Sequence, residues 1–278
     1  TTGSFTIDNT DPAIAGGAIT APATSDYVQG GSTYTVTWTN GDVTDTNLET
    51  NPIEIAYSTN GGTSWDTVET GLANNGSYTW TVPEVNSTQA KIRLIAVDKA
   101  GNMGVLDTGN FFIDSTDPTH TAAFTAPVSE TIWAGGSSQD ITWTDSFDDN
   151  YALAGNPITL EYYNGGTDAW VEIATDKADD GSYTWNPVAS LDRSDVQIRL
   201  IGVDKVGNAD TLASDAFTVD SSAPQIEAVY ALDGTYGIGE TVTIYVDYND
   251  NVAVAGGTPI LALTNGQNAT YQETVGGD

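Results

Sequence analysis

The stretch Phe111-Phe112-Ile113-Asp114-Ser115-Thr116-Asp117-Pro118 occurs three times in related form. It reads FTIDNTDP from Phe5 to Pro12, FFIDSTDP from Phe111 to Pro118 and FTVDSSAP from Phe217 to Pro224, and the leading phenylalanines are 106 positions apart each time. A fixed period of this size marks a chain built from repeated units. In each copy the apolar residues at the first and third positions share one parity, the signature of a strand, whereas the proline at the eighth has no N–H to give to a ladder. Each copy therefore predicts a closing strand, a short acidic connector and the entry to the next unit.

Between the copies the landmarks repeat. Tyr34, Val36 and Trp38 alternate with threonines, Ile53, Ile55 and Tyr57 do likewise, Asn60-Gly61-Gly62 supplies a turn before Trp65, and Tyr78, Trp80 and Val82 precede Pro83. Lys91 to Val97 (KIRLIAV) is apolar on both faces, Asp98 to Asn102 is a turn, and Gly109 to Asp114 closes the unit. In the second unit Trp143, Trp170 and Trp185 answer Trp38, Trp65 and Trp80. No segment has the 3.6-residue period of a helix. About seven short strands per unit predict an all-β protein of tandem immunoglobulin-like β-sandwich domains joined by short acidic linkers. The expected boundaries are a closing strand and linker at 1–11, domains at 12–117 and 118–223, and a partial third domain at 224–278. The sequence reads as a window from a longer array, with the partial domain completed by further chain or by strand donation from a neighbour.

A tryptophan buries about 150–250 Å², so the three repeated tryptophans are expected in the core of each sandwich. Sugar-stacking platforms are the other reading of such residues, with Trp133 and Tyr27 as the exposed candidates.

Composition narrows the function classes. Lys and Arg number 7 against 38 Asp and Glu, a formal net charge of −31. Such a surface repels nucleic acid and anionic membranes, and compaction against self-repulsion calls for screening or bound cations. The chain has no cysteine, so thiol catalysis and cysteine zinc sites do not arise. No apolar run reaches the roughly 18 residues of a membrane span. The single histidine, His120, is expected in an exposed loop, and the motifs of nucleophile elbows, phosphate loops and zinc proteases do not occur. Catalysis is not expected.

The runs NPIEIAYSTNGGTSW, NGSYTWTVP and KIRLIAVDKAGN, with FFIDSTDP, resemble the bacterial and archaeal Ig-like tandem repeats of large cell-surface proteins of the S-layer and adhesin type, with a wall-glycan-associated module of the Kre9/Knh type as a distant cousin. The run DGTYGIGETVTIYVDYNDNVAVAGGTPILALTNG is similar to a second variety of bacterial Ig-like repeat found in giant adhesins. The resemblance implies an extracellular, cell-surface structural part of a stalk, S-layer or filament. Its partners would be neighbouring repeats or further copies of itself, and possible surface glycans.

The acids recur at equivalent loops. In an Ig-like sandwich the B–C and F–G loops and the entry of strand A share one pole. The first unit supplies Asp8 and Asp11 from the connector, Asp42 and Asp45 from the B–C loop and Asp98 from the F–G loop. The second supplies Asp114, Asp117, Asp145, Asp148, Asp149 and Asp204, and the third Asp220, Asp247 and Asp250. Oxygen-only ligands in flexible loops suit Ca²⁺, and the arrangement resembles cadherin junctions, where calcium stiffens connectors. Solvated turn residues are the alternative, since Asp, Asn and Gly are ordinary turn formers.

Overall fold

A computed structural model describes every residue except 1, 2, 4, 122, 145, 146, 149, 150, 251, 253–256, 265 and 273–278; the side chain of Asp148 also lies outside the description. The first repeat folds as two facing sheets, with the short pair Ala13–Ile14 and Val43–Thr44 beside them. In one, the strands run in the order Tyr27–Gln29, Phe111–Asp114, Ser87–Asp98, Leu48–Ser58, Asp66–Leu72, and Met103–Asp107 also pairs with Ser87–Asp98. In the other, Thr33–Trp38 lies between Ile19–Ala21 and Ser77–Thr81. Three strands facing a larger sheet in this order form an immunoglobulin-like sandwich of the A-B-E against G-F-C arrangement. The second repeat reproduces it with Ile132–Ala134, Phe217–Asp220, Arg193–Asp204, Leu153–Asn164, Ala169–Lys177 and Ala209–Ala213, opposite Ala123–Ala126, Gln139–Thr144 and Ser182–Trp185.

Period-two patterning accounts for the burial. Along Ser87–Asp98, Ala90, Ile92, Leu94 and Ala96 are fully buried, while Arg93, Ile95 and Val97 are half-buried on the outer face. That outer face is apolar because the Met103–Asp107 strand pairs alongside it. The period-two reading does not anticipate this strand, whose Met103 and Val105 stand exposed around a glycine.

Two tryptophans of each predicted trio are core residues. Trp38 and Trp80 in the first repeat, and Trp143 and Trp185 in the second, are buried. Trp65 and Trp170 are not. Each lies half-buried on the outer face with a guanidinium over its ring, Arg93 at 3.9 Å and Arg199 at 4.3 Å from the centroid. Arg93 in turn donates two hydrogen bonds to Asp107, at 2.7 and 2.9 Å, and Arg199 pairs with Glu161. An arginine flanked by an aromatic face and a carboxylate is held by stacking as well as by charge.

Neither Trp133 nor Tyr27, the residues named for the alternative reading as sugar platforms, is exposed. Trp133 occupies the second repeat's counterpart of Val28 and is buried, with ring centroids 5.0 Å from Phe217 and 6.4 Å from Trp185. Tyr27 is stacked on Phe112 at 4.5 Å, the rings 8° apart. His120 also departs from the expected exposed loop. It is half-buried in the short strand Thr119–His120, paired with Phe147–Asp148, and its Nδ1 lies 2.5 Å from Asp210 Oδ2.

The two cores differ by a complementary exchange. Phe147 in the second repeat faces His120, as Val43 in the first faces Ile14. The position of Ala96 in the first is Gly202 in the second, 106 residues on. A Cβ on Gly202 would lie 2.4 to 2.6 Å from the Phe147 ring, so glycine there makes room for the larger side chain.

In the third repeat, Ile226–Ala231 pairs with Ile244–Tyr248 and Ile260–Ala262 with Asn268–Thr270. Among the described residues the two buried core clusters belong to the first and second repeats, and Ile226, Val229, Leu232 and Ile260 stand exposed.

Candidate metal centre

The pole of the first sandwich is built from three chain segments. The Ser87–Asp98 strand ends where Asp98 turns its carboxylate back into the loop it begins. Asp98 Oδ1 accepts the backbone N–H groups of Ala100 and Asn102, each at 2.8 Å, and Oδ2 accepts the Asn102 side-chain amide at 2.8 Å. Asp98 is 1 % exposed. Burial by itself would raise its carboxyl, but these hydrogen bonds outweigh that effect and hold the group below the ordinary carboxylate value. The F–G loop is thus an ordered turn closed on a buried anion.

The B–C loop is tied to the same place. Lys99 donates its backbone N–H to Asn47 O at 2.9 Å. Asn47 in turn donates its backbone N–H to Asp45 Oδ1 and its side-chain amide to Asp8 Oδ2, both at 2.6 Å. Asp8 comes from the connector, where its Oδ1 accepts Thr10 N–H at 3.0 Å and its carbonyl accepts the Asn102 amide at 3.3 Å. Asp8, Asp45 and Asp98 therefore converge, with one carboxylate oxygen from each lying within 4.8 Å of the others. An open cleft of about 210 Å³ lined by Thr6, Asp8, Asn47, Lys99 and Ala100 adjoins them.

Three carboxylates this close repel one another, and each retains lone pairs beyond the hydrogen bonds it accepts. The donor set is oxygen only, the chemistry of a hard divalent cation. Lys99, an exposed residue, also lines the cleft.

The remaining sequence-predicted ligands are placed differently. Asp42 is half-buried in the turn Asn40–Asp42, where its carbonyl accepts Ala15 N–H at 3.0 Å, and Asp11 is exposed; neither joins the trio. In the second repeat Asp204 repeats the role of Asp98, its Oδ1 accepting Val206, Gly207 and Asn208 N–H at 2.7 to 2.9 Å. Asp114 is buried and accepts Thr116 N–H at 3.0 Å, while Asp117 is exposed. Asp145 and Asp149 lie outside the described residues. Asp148 pairs through its backbone with Thr119, as Thr44 does with Ala13, so its register matches Thr44 and not Asp45. Asp220 accepts Ser222 N–H at 2.8 Å, Asp247 is exposed in a strand opposite Ala228, and Asp250 is exposed in the turn that follows.

Asn47 and Asn102 belong to the pole loops that the sequence marks as acidic, but their part in tying the three carboxylates together is not apparent there. A signal was present for Asn102, since Asp98-x-x-x-Asn102 recurs as Asp204-x-x-x-Asn208.

No family model and no curated protein sequence matches the chain. Among solved structures, the fibronectin(III)-like modules of Clostridium thermocellum CbhA match at 16% identity and TM-score 0.41, over 73% of this chain and 93% of theirs. A Ca²⁺-stabilized adhesin of an Antarctic bacterium matches at 18% identity and TM-score 0.45, over 91% of this chain and 61% of its own. A 1.5-MDa bacterial ice-binding adhesin matches at 16% and 0.36, over 88% and 79%. No helix among the described residues is long and apolar enough to cross a membrane.

Proposed function

We propose that this chain is a non-catalytic structural section of a secreted cell-surface protein, an S-layer, adhesin stalk or extracellular filament, in which calcium stiffens the junctions between sandwiches. The observation that carries the reading is the convergence of Asp8, Asp45 and Asp98. One comes from the connector and two from loops of the sandwich it enters, so a cation there would fasten the connector to the pole as it relieved their repulsion. A formal charge of −31 in a chain without cysteine supports the same setting. The proposed units are those of the repeat period, 12–117 and 118–223.

Extracellular calcium modules bind with dissociation constants of about 10⁻⁴–10⁻³ M. Free calcium at tenfold excess would then stabilise each site by about 1.4 kcal/mol. Isothermal calorimetry on the full chain, repeated with Asp45→Asn, tests the reading. Millimolar-range binding lost in the variant supports it; no heat of binding in the unaltered chain leaves these acids as solvated turns.

The carbohydrate-binding alternative relied on Trp133 and Tyr27, which are respectively buried in a core and stacked on Phe112.

A further inference from the structure

The end of the first sandwich opposite the acidic trio carries Tyr27, Gln29 and Phe112, and all three reach residues of the second sandwich. Gln29 Nε2 donates to Asn208 Oδ1 at 2.9 Å. Lys205 places its ammonium 4.6 Å from the centre of the Tyr27 ring. Phe112, stacked beneath Tyr27, has its ring 5.9 Å from that of Tyr151. Asn208 is buried, and its own amide donates to Asp204 Oδ2 at 2.8 Å and to Thr116 O in the connector at 3.2 Å. Donor and acceptor of one asparagine are thereby spent on three separate segments: its own loop, the connector and the preceding sandwich.

We infer that the C-terminal pole of the first sandwich is a docking face for the F–G loop of the second, a direct side-chain latch that holds the two as one body without a bound cation. The chemistry is that of a specific contact: an amide pair fixes the register, and an ammonium sits over the face of a stacked aromatic pair. Both halves are needed. Tyr27 and Phe112 are adjacent partners of a parallel pairing, Phe112 opposite Tyr27 and Asp114 opposite Gln29, so a single short ladder presents all the contacting side chains on the first sandwich. The equivalent ladder of the second sandwich pairs Ile132 with Thr218 and Ala134 with Asp220. Aromatic ring and amide are both replaced there, and Ile132 is 68% exposed. The latch is thus a property of the first junction and not a general consequence of the fold.

The inference goes beyond the calcium reading and limits it: the carboxylate trio lies at the entry to the first sandwich, and the junction between the first and second sandwiches is assigned to side chains instead. Because the chain has no cysteine, Thr63→Cys and Thr167→Cys give two unique spin-label sites, one on each sandwich, and pulsed electron resonance reads the distance between them. In the full chain the expected result is one narrow distance, unchanged by chelator and by added calcium. With Tyr27→Ala and Gln29→Ala together the narrow peak should be lost to a broad distribution, while tryptophan fluorescence shows both cores intact. Lys205→Ala, an exposed substitution outside both cores, should broaden it in the same direction and serves if the double variant fails to fold. A broad distribution in the unaltered chain under chelator, or a narrow one that persists in the folded variants, overturns the latch. Neither outcome depends on whether calorimetry finds calcium at Asp8, Asp45 and Asp98.

Discussion

Gly202 and Phe147 fit together as Ala96 and Val43 do at the corresponding places of the first sandwich. Gly202→Ala would drive a Cβ into the Phe147 ring, and overpacking of this kind typically costs about 1–3 kcal/mol. Adding Phe147→Val should recover much of the loss, giving a coupling energy in a double-mutant cycle well above that of distant pairs. Thermal melts of the two single variants and the double variant check this. The first sandwich's transition should not move.

The five core tryptophans and the two outer ones are predicted to behave as different residues. Trp143→Ala opens a cavity in the second core and should cost about 3–5 kcal/mol, abolishing the second sandwich's cooperative transition. Trp170→Ala removes a ring from under Arg199, a loss of about 0.5–2 kcal/mol. Denaturant titrations followed by fluorescence distinguish the two.

Acid should loosen the first sandwich partly through Asp98. Its folded-state carboxyl lies below the ordinary value, so its contribution is present above about pH 4, the unfolded carboxylate range, and fades as pH falls through the lower folded value. Asp98→Asn turns an acceptor into a donor facing the Asn102 amide, and should lower the melting temperature at pH 7. The gap between variant and unaltered chain should narrow toward pH 3. A gap independent of pH would separate the stability of this turn from the ionisation of Asp98.

Lys99 lines the cleft that adjoins the trio. Lys99→Gln should tighten calcium binding by up to a few-fold, because removing a like charge that lines the same cleft relieves at most about 1 kcal/mol of repulsion in water. Raising salt should narrow that difference. Calorimetry at two ionic strengths measures both effects.

The fold was legible because alternation and the 106-residue period act over many residues at once. Val36 and Trp38 face inward, and Thr37 between them faces outward to hydrogen-bond Thr20. Trp65 misled because periodicity counts it with the other repeated tryptophans, although it ends a hairpin turn and its ring N–H goes to Gly62 O at 3.0 Å. Trp133 misled in the opposite sense. It falls outside the repeated tryptophan positions, yet its alignment with Val28 puts it inside. In the candidate site, the meeting of connector, B–C loop and F–G loop at one pole was readable, but which carboxylate each segment would bring there was not. Asp45 and Asp42 are three apart in one loop, and only the path of that loop, pinned by Asn47, decides that Asp45 meets Asp8 and Asp98.

The ladder between Tyr27–Gln29 and Phe112–Asp114 is parallel, and its strands lie near the places where the chain enters and leaves the sandwich. Tension along an array of such units would pull these two strands in opposite directions along their own lengths. Their hydrogen bonds would then bear load in shear, all at once, instead of parting one after another like a zipper. The same short pairing that displays Tyr27 and Gln29 to the next sandwich would therefore be the element that resists extension, and a unit would lose its docking face only at the force that opens it.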